Sequence, residues 1–238
     1  MRNLLILHGW GCDATVYADL SERLSNGAQR YNVMIPELPG FGKTPEPPEA
    51  WGVSDYADYV FAFCEEARLF DKTIFESPPV ILAHSLGCRI ATKLLAEQRI
   101  SPLKVIYTGA AGVKPKRTAG QRFRTRLFKA KKFFLKPFPK AVEKMRQKYG
   151  SEDYRNASPI MRQTLVKIVN EDLTPLFSKI KQDVLLVWGE NDDSTPIADA
   201  RLMEELMPNA GLAIIKNAGH YAFLDQPELF VRILDSYL

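Results

Sequence analysis

Ser85, Asp192 and His220 are the three side chains whose types could together perform acyl transfer, and each stands in a short, turn-rich context. A serine hydroxyl attacks a carbonyl only when a neighbouring base takes its proton. An imidazole serves as that base once a carboxylate fixes its tautomer. Ser85 is the centre of Ala83-His-Ser-Leu-Gly87, Asp192 lies between Gly189 and Pro196, and His220 ends Asn217-Ala-Gly-His. Each also has a purely structural alternative. The serine could cap a helix, the acid could favour a helix N-terminus, and the histidine could be an ordinary hydrogen-bonding loop residue. The chain has only three histidines, His8, His84 and His220, and all three fall within such motifs. Asp193, beside Asp192, is the competing acid.

Positioning these groups needs a rigid frame, and the hydrophobic pattern supplies one. Short apolar runs at Leu4–Leu7, Asn32–Ile35, Val80–Ala83, Lys104–Tyr107, Val184–Trp188 and Leu212–Ile215 predict buried strands. Helical spacing separates them: about Ala14–Leu24 with Asp13 as cap, Asp55–Leu69 capped by Ser54, and a helix straight after Gly87. A further helix begins at Pro196, capped by Thr195, and a last one near Pro227. Strands alternating with helices predict an α/β fold with a mostly parallel sheet covered on both faces. Ser85, Asp192 and His220 then each follow a different strand, where such sheets hold their sites. From Val113 to about Lys179 the alternation stops and only helical patterns remain. The clearest is Ser158-Pro159, an N-cap followed by proline at the first helical position. The chain therefore divides into a core of residues 1–112 and 180–238 and a helical cap insertion of residues 113–179.

The order serine, acid, histidine, with these spacings, resembles the α/β-hydrolase superfamily over nearly the whole chain. The resemblance includes His8-Gly-Trp-Gly11, Leu38-Pro-Gly-Phe-Gly42, Pro196 four residues after Asp192, and Asp225 and Pro227 after Gly219-His220. It implies that Ser85 is the nucleophile, His220 the base and Asp192 its orienting acid. It further implies that the N–H groups of Trp10 and Leu86 form an oxyanion hole, a donor of that kind contributing roughly 3 kcal/mol. The first two phrases look most like the carboxylesterases that release pimeloyl-carrier-protein from its methyl ester. The expected activity is that of a serine hydrolase, a carboxylesterase on small or medium acyl esters, with no cofactor and no metal. The alternatives are a C–C bond hydrolase or lyase of the same fold, and a hydrolase-like binding protein. Three departures stand out: Cys88 replaces a common glycine, Glu37 a common aspartate, and there is no room for a strand hairpin before Leu4.

Composition sets the remaining bounds. The 238 residues are 46% hydrophobic and 25% charged, as in ordinary globular proteins, and no apolar run could span a membrane. Cys12, Cys64 and Cys88 are odd in number and lack metal-binding spacing, so free thiols and a cytoplasmic location are expected. The net charge of +4 conceals a block from Lys114 to Lys148 with fourteen Lys or Arg and one acid, leaving −9 on the remainder. Within it, Arg122–Lys136 reads as a basic amphipathic helix with Phe123, Leu127, Ala130 and Phe134 along one side. It suits a cap helix over an acyl pocket, or an anionic partner: an acyl carrier protein, a coenzyme A ester or an acidic membrane surface. Nucleic acid is not expected, since no recognition motif accompanies the charge. Without a hairpin, the Asn32–Ile35 strand becomes a sheet edge open to pairing with a second copy. A monomeric mass in solution would exclude that homodimer.

Overall fold

Six strands, the inner four almost wholly buried, assemble into one sheet in a computed structural model that describes residues 2–27, 30–114, 120 and 151–238. They are β1 (Arg2–Leu7), β2 (Tyr31–Met34), β3 (Val80–His84), β4 (Val105–Thr108), β5 (Val184–Gly189) and β6 (Ala210–Ile215). Their order is β2-β1-β3-β4-β5-β6, and every neighbouring pair is parallel. The mostly parallel sheet expected from the pattern is thus parallel throughout. β2 and β6 form its two edges.

Alternate residues of the strands face two separate cores. Leu5, Leu7, Ile81, Ala83, Tyr107, Leu186 and Trp188 pack with α2 (Val53–Glu66), α3 (Leu86–Ala96) and helices that follow β4. Leu4, Ile6, Val80, Leu82, Ile106 and Val187 pack on the other side with α1 (Ala18–Asn26) and the C-terminal helix. Burial of both faces explains why the strands read as continuous apolar runs rather than as alternation.

Between β4 and β5 the described residues hold α4 (Glu152–Asn156), α5 (Pro159–Asn170) and α6 (Thr174–Phe177) and no strand. Ser158 accepts from the Met161 N–H with Pro159 at the first helical position, as its spacing predicts. The basic helix expected over Arg122–Lys136 lies outside the described residues. After β5 come α7 (Ile197–Leu206), α8 (Ala222–Asp225) and α9 (Pro227–Tyr237). Three local expectations are corrected. The first helix is split into a 3₁₀ turn at Ala14–Tyr17, capped by Asp13, and α1. Ser54 lies inside α2, whose cap is Gly52, because the Asp55 carboxylate accepts from the Gly52 N–H at 2.7 Å. Pro196, not Thr195, precedes α7; the Thr195 side chain is committed elsewhere.

Strand order reverses beside β1: its sequence neighbour β2 lies on one side and β3 on the other. Connections leaving there diverge and open a crevice at the strands' C-terminal ends. Trp10 follows β1 and Ser85 follows β3, so both stand at its mouth. Among the described residues, no helix is long and apolar enough to cross a membrane. Cys12, Cys64 and Cys88 are buried free thiols.

Candidate active site

Ser85 occupies the single residue between β3 and α3, with φ 51° and ψ −107°, a conformation L-residues rarely adopt. Its backbone is held there: the Ser85 N–H donates to the Thr108 carbonyl at 3.2 Å, and its own carbonyl accepts from Cys88 and Ala111. The tight turn also explains Gly87. A Cβ at that position would overlap the Leu7 carbonyl, so only glycine lets α3 start so close to β1. Cys88 instead tucks its thiol toward the Ala83 carbonyl at 3.0 Å, a fit that accounts for a residue larger than glycine there.

Asp192 lies in the loop after β5 with a fully enclosed carboxylate. Its Oδ1 accepts from the N–H groups of Ser194 and Thr195 at 2.9 and 2.8 Å, and Oδ2 accepts from the Thr195 hydroxyl at 2.8 Å. Oδ2 also accepts from His220 Nδ1 at 2.9 Å. Burial alone would raise this carboxyl's pKa; the hydrogen bonds from His220 and Thr195 outweigh it and hold the pKa below the ordinary value. Asp193 is exposed and makes no such contact. The structure therefore brings His220 to Asp192 and not to Asp193. A carboxylate can only accept, so Nδ1 carries the proton and Nε2 is left as the basic nitrogen.

The two acid- and histidine-bearing loops are braced against each other. Asn191 N–H donates to the Ala218 carbonyl at 2.8 Å, and Trp188 Nε1–H donates to the Thr195 carbonyl at 2.7 Å. The Asp225 carboxylate accepts from the Gly219 N–H at 2.7 Å, giving a physical reason for an acid at that offset after Gly-His.

His84 ties these loops to the one after β1, a role no local pattern announced. It is completely buried. Its Nε2 is 3.2 Å from the His220 carbonyl, which can only accept, so Nε2 is protonated. Nδ1 then accepts from the Tyr17 hydroxyl at 3.0 Å, and that hydroxyl oxygen accepts from the Gly9 N–H at 3.3 Å. Burial, and next the proximity of His220, push the His84 pKa down to about 3. Gly9 is required by this packing, since a Cβ there would come within 2.7 Å of the His84 ring. His8 is equally buried: its Nδ1–H donates to the Gly9 carbonyl at 2.8 Å, and its Nε2 accepts from the Leu38 N–H at 3.0 Å. Phe41, from the Pro-Gly-Phe-Gly loop, packs edge-on against Trp10 with ring centroids 4.9 Å apart. Glu37 closes that loop by accepting from the Lys43 N–H at 2.8 Å, a bond that puts its longer side chain to use.

A cavity of about 1020 Å³ joins the pieces; its walls include Trp10, Ser85, Leu86, Thr195 and His220, with Arg89 one helical turn beyond the serine. Leu86 is the first residue of α3, where an N–H has no intrahelical acceptor. Among the described residues the Trp10 N–H has none either. The arrangement supplies a hydroxyl, a basic nitrogen oriented by a buried carboxylate, and two N–H donors around one space. Such a set can take a proton from an attacking oxygen and stabilise charge on a carbonyl oxygen.

A family model described as the alpha/beta hydrolase family matches residues 4–233. The chain is 26% identical to the pimeloyl-[acyl-carrier protein] methyl ester esterase of Aliivibrio fischeri, over 99% of this chain and 93% of that protein. An esterase from Exiguobacterium antarcticum has the same fold, with a TM-score of 0.74, 22% identity and coverage of 100% of this chain and 91% of that one. A thermophilic esterase from Thermogutta terrifontis is similar at a TM-score of 0.72, with 20% identity and coverage of 100% and 89%.

Proposed function

The chain belongs to the alpha/beta hydrolase family, and on that footing we propose that it is a serine esterase cleaving acyl esters through an acyl-enzyme on Ser85. The observation that carries this reading is that Ser85, on its strained turn, opens into the same cavity as an imidazole whose Nδ1 is tied to a buried carboxylate. His220 Nε2 takes the proton of the Ser85 hydroxyl as Oγ bonds to the ester carbon. The carbonyl electrons move to oxygen, which the Trp10 and Leu86 N–H groups receive. Collapse expels the alkoxide, which takes the proton from His220. Water then repeats the sequence, leaving the acid and free Ser85, so that ester and water give acid and alcohol. Asp192 holds the imidazole in the useful tautomer and stabilises the imidazolium.

In this reading residues 113–179 form a cap. Its support is that Leu165, Ile168 and Val169 of α5 line the cavity, an apolar wall suited to an acyl chain. The activity named for the Aliivibrio relative favours an acyl ester presented by a carrier protein, and the basic block from Lys114 to Lys148 has the right sign to meet an acidic carrier.

A fluorophosphonate probe tests the reading. Wild type should label on one serine and Ser85→Ala should not, with kcat for ester hydrolysis falling on the order of a millionfold. Asp192→Asn should cost far more than Asp193→Asn. A folded wild type that neither labels nor hydrolyses any ester in a broad panel would instead indicate a binding protein.

A further inference from the structure

Arg89 is a buried cation with no ion-pair partner among the described residues. Only 4% of its surface is exposed, yet it lines the cavity that Ser85 opens into. Among the described residues its guanidinium makes one hydrogen bond, from Nη1–H to the Glu171 carbonyl at 2.9 Å. The two nearest acids are engaged elsewhere: Glu171 pairs its carboxylate with Lys93 at 3.1 Å, and Asp172 accepts from the N–H and hydroxyl of Thr174. Among the described residues no carboxylate lies within ion-pair distance of Arg89. Four of its five N–H donors thus remain for something else. Burying an ion unpaired costs several kcal/mol, which one hydrogen bond and the more distant charges of Glu171 and Asp172 offset only in part. Consistently, burial pulls its pKa below the ordinary arginine value.

We propose that Arg89 is the binding site for a carboxylate carried by the substrate, so that the preferred substrates are hemiesters of short dicarboxylic acids. Arg89 is four residues beyond Ser85 on α3, a rise of about 6 Å, comparable to a few methylene groups between an acyl carbon and a terminal carboxylate. The planar guanidinium matches a carboxylate through two parallel hydrogen bonds. A phosphate dianion suits the site less well. The cavity's other walls carry four acids, Glu152, Asp153, Asp199 and Glu205, against two further cations, Lys114 and Arg201, and that excess repels a second negative charge. The substrate half of this proposal rests on the esterase reading; the carboxylate site itself does not.

Methyl hydrogen glutarate and methyl pentanoate, equal in length and differing in the terminal group, separate the possibilities. In wild type, kcat/KM should favour the hemiester on the order of 10- to 100-fold, mainly through KM. In Arg89→Met that ratio should fall to near one, with Arg89→Lys between. A wild-type ratio near or below one overturns the site while leaving the esterase standing, and this readout needs no variant to fold. If wild type cleaves neither ester, calorimetry with free glutarate decides the site. Binding that Arg89→Met abolishes supports it. No binding, or inorganic phosphate binding as tightly as glutarate, overturns it.

Discussion

His84 moves no proton in the proposed reaction, yet its ionisation is tightly linked to folding. In the unfolded chain it titrates near 6.5, and in the fold burial brings it to about 3. Between those values the unfolded state holds a proton that the folded state lacks, so stability falls as pH falls. The difference amounts to roughly 3 kcal/mol between pH 6.5 and pH 4. Asp192 adds the same sign further down: its depressed pKa gives stability present above the ordinary carboxylate value and lost as pH falls through the folded value. Urea midpoints should therefore drop on acidification, and the drop between pH 6.5 and pH 4 should shrink in His84→Gln. An undiminished drop in that variant would place the acid sensitivity elsewhere. At this scale short motifs single out Ser85, Asp192 and His220, and the structure brings the last two into contact at 2.9 Å and places Ser85 and His220 on one cavity. The sequence does not reveal Tyr17, 67 residues from the ring it bonds, since nothing local marks a tyrosine as donor to a distant imidazole. Arg89 went unread although its place four residues after Ser85 puts both on one helix face.

The β3-turn-α3 unit depends on how closely α3 can approach β1. Gly87→Ala would place a methyl group into the Leu7 carbonyl, which belongs to a central strand and cannot yield. We expect a loss of about 3 kcal/mol, read as a lower urea midpoint, together with reduced esterase activity as the Leu86 N–H is displaced. Gly11→Ala is the control: its φ of 72° makes a side chain unfavourable, but the surrounding space is open, so the cost should stay near 1 kcal/mol. Element boundaries were the part least readable from the sequence, for a specific reason. Ser54 and Thr195 are residue types that cap helices, but Asp55 bonds the Gly52 N–H and so starts its helix earlier, while Asp192 takes the N–H and hydroxyl of Thr195 itself.

Charge is a property of the whole molecule, and here it is segregated. The block from Lys114 to Lys148 carries +13 and the remainder −9. If an acidic carrier presents the acyl ester, hydrolysis of the carrier-bound ester should fall steeply as salt rises from about 0.01 to 0.15 M, where the screening length shortens from about 30 to 8 Å. Hydrolysis of a small neutral ester should change little. Equal salt sensitivity would remove the charge-based partner. The sheet is legible at its four inner strands, because burial on both faces makes each an apolar run. Its order is not, because a periodic pattern carries no information about which strands lie side by side.

That strand order also governs when the chain could first become active as it folds. His84 and the carbonyl it bonds are 136 residues apart, with β4, β5 and β6 formed between them. A chain with β1, β3 and β4 paired but β5 and β6 undocked has its serine on the turn and neither His220 nor Asp192 beside it. Such an intermediate is chemically silent. Contacts this distant in sequence close late and slowly. The return of hydrolysis during refolding would therefore time the docking of the last two strands, while spectroscopic signals from the earlier ones would already have recovered.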